Sequence, residues 1–390
     1  MVSRRVILTT GGACVGLLGA GAALGLRSDL TAARAPWHAA GTGFGDVRLD
    51  ALSHAVLAPS PHNRQPWLVR LDGEDALTLF CDPGRLLPVT DPPGRQITIG
   101  LGAFIEVLRQ AAAEIGYGLD ITPYPEGEPY PAPDQRPVAS IRFVEDANIA
   151  KDPLFAAITQ RRTSRAPFDQ DRPVSAESLN ALDGALRATD GEFEWVNDDA
   201  NVTALKTLCR DAWRIEMDTP AALHESTALT RIGAKEVNAA PDGISLAGPV
   251  MEALHATGIF TRETMDDPSS RAYAETMKFY NRNIDTAMAF GWLSTAGNSR
   301  TDQLRAGAGW VRLQQAATAM GLAMQPFSQA LQEYPEMAEL FEEIHDFTGI
   351  RAPRSEADGR LQGLFRFGYA KPAGPSPRWP LETRLIEADV

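Results

Sequence analysis

Two alanine-rich segments that match each other over fifteen residues constrain the fold of this chain more than any other feature. Residues 102–116 and 307–321 share seven identical positions, where unrelated segments would share about one. Each segment ends at a glycine, a residue that readily takes the left-handed conformation found just beyond a helix. The match predicts a diverged internal repeat, and the alternative is convergence of two alanine-rich helices. The identical pairs are Gly102/Gly307, Ala103/Ala308, Leu108/Leu313, Gln110/Gln315, Ala111/Ala316, Ala112/Ala317 and Gly116/Gly321.

A second match supports the repeat. The helix, loop and strand expected over residues 52–69 correspond to residues 179–196 after a one-residue shift in the loop. We therefore expect a first repeat at residues 46–150 and a second at residues 151–390.

The second repeat carries extra sequence between its two matched blocks, from about residue 202 to residue 282, and this sequence reads mostly as helix. An insertion of that size near one site is a candidate lid. The alternative is a helical excursion that only covers the sheet.

The N-terminal residues 1–35 are similar to a twin-arginine export signal. Arg4 and Arg5 precede a weakly apolar, Gly- and Ala-rich run that ends at Leu26. This similarity predicts passage through the twin-arginine export machinery to the periplasm or cell envelope. The run is about long enough to span a bilayer, so an uncleaved membrane anchor is the alternative. Residues 36–45 are Gly- and Ala-rich and predict a linker.

The charge and the reactive side chains of the chain exclude several classes of function. Against 37 Lys and Arg stand 50 Asp and Glu, and the net charge of -13 repels a phosphate backbone, so we expect no nucleic-acid partner. Three cysteines cannot form a disulfide framework, and Cys209 is expected to be a buried thiol. The six histidines show no metal-ligand spacing, so no metal site is predicted.

The loop from Pro59 to Trp67 suits a flat ligand with a polar edge. Its prolines stiffen it, while Ser60 and Asn63 offer hydrogen-bond donors and acceptors. His62 could touch such a ligand, although a loop position favours contact with solvent. The alternative for the whole loop is an ordinary turn between a helix and a strand that buries Trp67.

The run Arg161-Arg162-Thr163-Ser164-Arg165 suits an anion. Guanidinium groups keep their charge at physiological pH and match phosphate oxygens with a planar fork of donors. Arg161 and Arg165 are four positions apart, so on a helical turn near a helix start both could face one anion. The alternative is a solvated basic surface run.

Taken together, these motifs resemble the nitroreductase family. The loop matches the family pattern A-P-S-x-x-N-x-Q-P-W at every fixed position, and residues 161–165 match R-x-S/T-x-R/K. Residues 376–381 resemble its closing S-x-R-x-P-L, and residues 321–326 resemble its G-L-x-x-x-P stretch. In its duplicated form, with R-R-T-x-R-x-P-F at residues 161–168, the chain is most similar to the Acg-type branch of fused proteins.

The resemblance implies an α+β fold in which two diverged repeats form an intramolecular pseudo-dimer around one FMN. Ordinary family members are homodimers with two flavins, whereas here each repeat keeps one complementary half of a site, so a monomer is expected. Arginines would hold the phosphate, and the loop and the 326–328 segment would border the ring. The implied cofactor-binding residues are Pro59, Ser60, Pro61, Asn63, Arg161, Arg162, Thr163, Arg165, Pro326, Phe327, Ser328 and Arg378.

The function implied by the resemblance is an exported FMN-dependent oxidoreductase. It would pass hydride or electrons from a donor such as NAD(P)H to a small nitro, quinone or similar acceptor, with the flavin supplying the chemistry. No side chain is nominated as a catalytic acid or base. One alternative is a protein that sequesters the flavin beneath a lid, and another is a membrane-anchored scaffold without flavin.

Overall fold

The computed structural model describes residues 28–186, 189, 191–350 and 359–387. Residues 1–27 of the predicted twin-arginine signal at residues 1–35 lie outside the described residues. Within them, no helix combines the length and the apolar character needed to cross a membrane.

The chain forms twelve helices and eleven strands within the part that the structure describes. The helices are α1 (Thr31–Ala39), α2 (Val47–Ala55), α3 (Arg95–Glu114), α4 (Ala176–Asp183), α5 (Asp199–Asp218), α6 (Pro220–Ala228), α7 (Gly233–Ala239), α8 (Pro249–Ala256), α9 (Arg262–Met265), α10 (Arg271–Asp285), α11 (Arg300–Ala319) and α12 (Ala338–Thr348). The strands are β1 (Trp67–Asp72), β2 (Ala76–Cys81), β3 (Tyr117–Pro123), β4 (Pro137–Glu145), β5 (Glu192–Val196), β6 (Thr230–Ile232), β7 (Ile244–Leu246), β8 (Ala289–Thr295), β9 (Ala323–Pro326), β10 (Arg360–Gly368) and β11 (Leu385–Ile386). The predicted α+β class is confirmed.

Two separate main sheets organise the molecule. The first has the strand order β11-β1-β2-β4-β3 and the second has the order β5-β8-β10-β9, while β6 and β7 form a small parallel pair. Strand β11 runs parallel to β1, with Val69 opposite Leu385. The C-terminal strand therefore belongs to the sheet of the first repeat, although the predicted domain division assigned it to the second.

Helices α3 and α11, which contain the matched segments, pack against each other between the two sheets. The contact is so close that a methyl group added to Gly102 would lie 2.0 Å from the Leu304 carbonyl oxygen. A methyl group on Gly307 would lie 2.0 Å from the Ile99 carbonyl oxygen. Both glycines are therefore required by the approach of one helix backbone to the other.

Local sequence signals account for most of the elements around this helix pair. The predicted helix of about residues 96–115 is α3, and Gly116 beyond it has a φ of +88°. The alternation of apolar residues after Trp67 produces the β1–β2 hairpin, whose Trp67 is fully buried against Phe104.

Two predictions of local structure are wrong. The linker expected at residues 36–45 is partly helical, because α1 runs to Ala39 and buries Trp37. The arginine run at residues 161–165 is not on a helical turn. It forms an irregular segment, and the next helix begins only at Ala176.

Candidate functional site

The loop that precedes β1 adopts an uncommon backbone conformation. His62, Asn63 and Gln65 all have positive φ, at 45°, 53° and 50°. Residues other than glycine rarely adopt this region, and such strain persists where surrounding contacts hold it. Two of those contacts are the Gln65 N–H, which donates to Ser60 Oγ at 2.9 Å, and the Trp379 N–H, which donates to Gln65 Oε1 at 2.9 Å.

Arg378 ties the C-terminal segment to this loop. Its guanidinium is 2% exposed and donates to Asn63 Oδ1 and to Ser376 Oγ, each at 2.7 Å. It also donates to the Leu57 carbonyl oxygen at 3.1 Å. Its Nε atom is buried and has no partner among the described residues. The arginine of the closing motif therefore lies beside the loop motif that precedes it by more than three hundred residues.

The arginine segment lies against the same place from the other repeat. Arg161 is 4% exposed and donates to Gln314 Oε1 at 2.9 Å and to the Leu57 carbonyl oxygen at 2.8 Å. Arg161 and Arg378 thus share one carbonyl oxygen. Arg165 is exposed and free of ion pairs among the described residues. These positions arise from the irregular backbone and from packing on α11, not from the helical spacing that the sequence predicted.

A small cavity opens where these groups meet. Four arginines from two distant segments surround it, yet none of them has a carboxylate partner among the described ion pairs. The lining residues are Pro59, Ser60, Asn63, Arg161, Arg162, Thr163, Arg165, Gly374, Ser376 and Arg378. No acidic side chain of the described residues lines it, so this wall is strongly positive.

Burial makes the cationic state of these arginines costly. Burial and the neighbouring Arg162 lower the pKa of Arg161 to about 9. Burial, with Arg161 and Arg162 as further causes, holds the pKa of Arg378 well below its usual range. Every cause lowers these pKa values, because no acid among the described residues compensates for the burial. An anion in the cavity would remove this penalty.

A larger cavity adjoins the small one, and the two share Pro59, Ser60, Thr163 and Arg165 as walls. It encloses about 1150 Å³, including solvent space at its mouth. Concave spaces lined by apolar side chains and a few polar groups are the usual binding places of small molecules.

The larger cavity collects most of the residues predicted to border a ring. Pro59, Ser60 and Pro61 come from the loop, and Pro326 and Ser328 come from the segment after α11. Phe327 is not among the residues that line this cavity. Its side chain is 1% exposed within the core of the second repeat, because alternate residues of an extended segment point to opposite sides.

The position of His62 differs from the expectation, because the sequence favoured contact of its side chain with solvent. It lines the larger cavity, and its Nδ1 atom is buried without a partner among the described residues. Burial, the largest cause, lowers the pKa of His62 to about 4. The imidazole is therefore neutral at pH 7 and can donate or accept a hydrogen bond within the cavity.

The sequence did not identify the cavity residues of the insertion. Trp213 and Glu216 of α5, Ser226 of α6 and Tyr280 of α10 all line the larger cavity. The only sequence signal was the length of the insertion and its position near one site. Its contribution to the cavity wall shows that it does more than cover the sheet.

Helix α1 packs Trp37 against two of the arginines that line the small cavity. The Trp37 ring centre lies 4.6 Å from the Arg162 guanidinium carbon and 5.3 Å from that of Arg378. The Trp37 indole N–H donates to the Ser376 carbonyl oxygen at 2.7 Å. Cation–π contacts of this kind orient guanidinium groups without neutralising them. The sequence carries no signal for this contact, because Trp37 lies in a segment that resembles a linker.

The thiol of Cys209 lies in the core of the second repeat. Cys209 is 2% exposed, as predicted, and burial raises the pKa of its thiol to about 12. Over the described ranges, no cluster of three or more His, Cys, Asp or Glu side chains is placed to hold a metal ion.

Comparison with known proteins identifies relatives in Mycobacterium tuberculosis, although no family model matches the chain. One relative, named "Putative NAD(P)H nitroreductase", is 28% identical over 349 residues, which cover 86% of this chain and 90% of that protein. Another, "Putative NAD(P)H nitroreductase acg", is 36% identical over 126 residues, which cover 32% of this chain and 36% of that protein.

An "Uncharacterized protein" of the same organism is 37% identical over 125 residues, and the match spans 36% of its length. Among solved structures, the FMN-dependent nitroreductase NfnB from Mycobacterium smegmatis in complex with NADPH is 18% identical. The match covers 58% of this chain and 94% of the chain in that structure, with a TM-score of 0.36. The sequence relatives, rather than this distant structural likeness, support the predicted resemblance to the nitroreductase family.

Proposed function

We propose that this chain is an FMN-dependent oxidoreductase of the nitroreductase type, with one flavin held between the Pro59 loop and the Arg161 segment. The donor is a nicotinamide, as the names of the sequence relatives suggest, and the acceptor is a small nitro, quinone or similar compound. The relative that matches over 349 residues supports the family, and the geometry of the two adjoining cavities supports the position of the cofactor.

The single observation that carries this proposal is the group of arginines without acidic partners. Burying cations without counter-charges is unfavourable unless a ligand anion compensates. The FMN phosphate carries nearly two negative charges, and guanidinium groups bind phosphate oxygens well. Arg161, Arg162, Arg165 and Arg378 would hold the phosphate, and the free Nε of Arg378 is a donor that such a ligand can satisfy.

The rest of the site fits a flat ring with polar edges. Pro59 and Pro326 offer rigid apolar surface, while Ser60, Ser328 and His62 offer hydrogen-bonding groups. Bound FMN would supply hydride transfer, and the protein would supply orientation and exclusion of water. Side chains of the insertion line the same space.

We also propose that the chain arose by internal duplication and acts as a single-chain pseudo-dimer. The matched helices α3 and α11 pack against each other, and each repeat supplies one half of the site. The twin-arginine motif at Arg4 and Arg5 supports export to the periplasm or cell envelope.

A second candidate function is sequestration of the flavin. The observation that favours it is the wall that α5, α6 and α10 build on the larger cavity, since a closed insertion would exclude an external donor. Such a protein would hold FMN and turn over little.

Anaerobic reduction of the purified chain tests both functions. The visible spectrum of the purified protein first shows whether flavin is bound. NADH or NADPH is then added to the oxidised protein, followed by a nitroaromatic or quinone acceptor. Reduction by the nicotinamide and reoxidation by the acceptor are expected. Reduction by dithionite alone, without transfer to any acceptor, would favour sequestration, and a colourless protein that gains no flavin from added FMN would contradict both functions.

A further inference from the structure

The insertion gives the larger cavity one end that is both aromatic and polar. Trp213 and Tyr280 stack with their ring centres 4.0 Å apart and their planes 22° apart. Glu216 lies three positions after Trp213 on α5, so both side chains project from the same face of this helix. All three residues line the cavity.

The Glu216 carboxyl group is buried in a small polar network. It is 3% exposed, and it accepts hydrogen bonds from Ser226 Oγ and from Gln332 Nε2, each at 3.3 Å. These bonds are long for a carboxylate, so they stabilise its charge weakly. No ion pair of Glu216 occurs among the described residues. Most buried acids are paired with a cation, and Glu216 has no such partner among these residues.

Cavity-lining residues beside Glu216 carry further unpartnered polar atoms. Gln332 Oε1, Gln329 Oε1 and Trp213 Nε1 are buried and have no partner among the described residues. Buried polar groups in native proteins are nearly always hydrogen-bonded, so a ligand at this end of the cavity would find several donors and acceptors to bond. The flat aromatic wall beside them fits a planar ligand.

We propose that this end of the larger cavity binds the electron acceptor and that Glu216 is its specificity-determining residue. The acceptor is a flat aromatic molecule that packs on the Trp213–Tyr280 wall, and neutral Glu216 donates a hydrogen bond to its carbonyl or nitro oxygen. The inference rests on the proposed function, because it assigns the acceptor side of the same site.

The surroundings of Glu216 keep its carboxyl neutral up to about neutral pH. Burial, the largest cause, raises its pKa to about 7 against the hydrogen bonds from Gln332, Ser226 and Gln329. The charged and titratable groups that face it are Glu225 of α6, which raises the pKa further, Tyr280 of α10 and Tyr334. Because the carboxyl donates only when protonated, an oxygen-bearing ligand should bind more weakly above this pH.

Binding of menadione, a naphthoquinone, to the oxidised, FMN-loaded full chain tests the inference. Equilibrium dialysis at about pH 5.5 and about pH 8.5 measures the dissociation constant on either side of the Glu216 transition. We expect binding to be roughly three- to tenfold weaker at the higher pH, the size of one lost hydrogen bond. Glu216→Gln should bind equally at both values, because an amide donates at either pH. Glu216→Ala should bind weakly at both.

Asp211→Asn is the matched control, because Asp211 lies on the same helix with its side chain 43% exposed. It should behave as the wild type does. A pH response that persists in Glu216→Gln, or wild-type binding that is absent, constant or stronger at high pH, would overturn the inference. Flavin content is measured in every variant. A chain that retains FMN but shows one of these results contradicts only the acceptor assignment, whereas a chain without FMN contradicts the proposed function as well.

Discussion

At the residue scale, the properties of the candidate site arise from charges that the protein leaves unbalanced. Arg161 and Arg378 are buried without acids, and their hydrogen bonds go to neutral oxygens such as those of Leu57 and Gln314. Neutral partners orient a guanidinium but leave its charge available to a ligand. Because these two arginines also support the fold, the exposed Arg165 is the better position at which to test phosphate binding.

Replacing Arg165 with alanine should weaken FMN binding by roughly tenfold or more, because one charge-assisted hydrogen bond to the phosphate is lost. Arg165→Lys should lose less, since it keeps the charge but not the planar fork. Titration of the flavin-free protein with FMN, followed by quenching of flavin fluorescence, measures both. Arg142→Ala, at an arginine whose side chain is 66% exposed on β4, should leave FMN affinity unchanged. Equal affinity in Arg165→Ala and Arg142→Ala would contradict the phosphate assignment.

At the element scale, the contact between α3 and α11 holds the two repeats together. Ile99, Gly100 and Ala103 of α3 also line the larger cavity. Helices approach this closely only where small residues leave room. The two glycines at this contact, Gly102 and Gly307, are also one of the pairs matched between the repeats.

Gly102→Ala should destabilise the protein by about 2 kcal/mol or more, because the new methyl group would overlap the Leu304 carbonyl and the backbones would have to separate. The midpoint of urea unfolding measures the change. Gly184→Ala is the control. Gly184 has helical angles, with φ at −56° and ψ at −26°, and a methyl group there meets no atom within 4 Å. It should be neutral or slightly stabilising. Equal midpoints in both variants would show that the helices do not approach as described.

Helix α1 supports a second prediction at this scale. Trp37→Ala should weaken FMN binding roughly three- to tenfold, because Arg162 and Arg378 lose the ring that orients them. Trp37→Phe should lose less, since it keeps a ring but not the hydrogen bond to Ser376. His38→Ala changes the exposed neighbour and should have no effect on affinity. The same fluorescence titration decides, and unchanged affinity in Trp37→Ala would leave α1 as a packing element only.

At the scale of the whole molecule, the halves of the site come from opposite repeats, and the C-terminal segment crosses back to the first sheet. Each half occurs once, because the second repeat lacks the proline-rich loop and the first lacks the arginine run. The molecule therefore assembles one arginine cavity from one chain.

We expect one FMN per chain and a monomer in solution. Heat release of the flavin, its absorbance and the protein concentration give the stoichiometry, and light scattering after gel filtration gives the mass. Two flavins per chain would show that the second repeat holds its own site. A dimer with one flavin per chain would leave the cofactor site as proposed and correct only the oligomeric state.

The sequence by itself determined α3 and the β1–β2 hairpin, and the family resemblance named most of the residues that line the two adjoining cavities. Apolar periodicity and glycine positions define α3 and the β1–β2 hairpin locally, and the two motifs name the loop and the arginines. Eleven of the twelve implied cofactor residues line the two adjoining cavities, and Phe327 is the exception.

Only the tertiary structure decided how the arginines converge, that α1 packs against them and that the insertion supplies Glu216 to the larger cavity. The contacts of Arg378, Trp37 and Glu216 join residues separated by more than a hundred positions. Local periodicity carries no information about such pairs. They depend on how whole elements pack, and a group such as Glu216 acquires its ionisation behaviour only from the neighbours that this packing places around it.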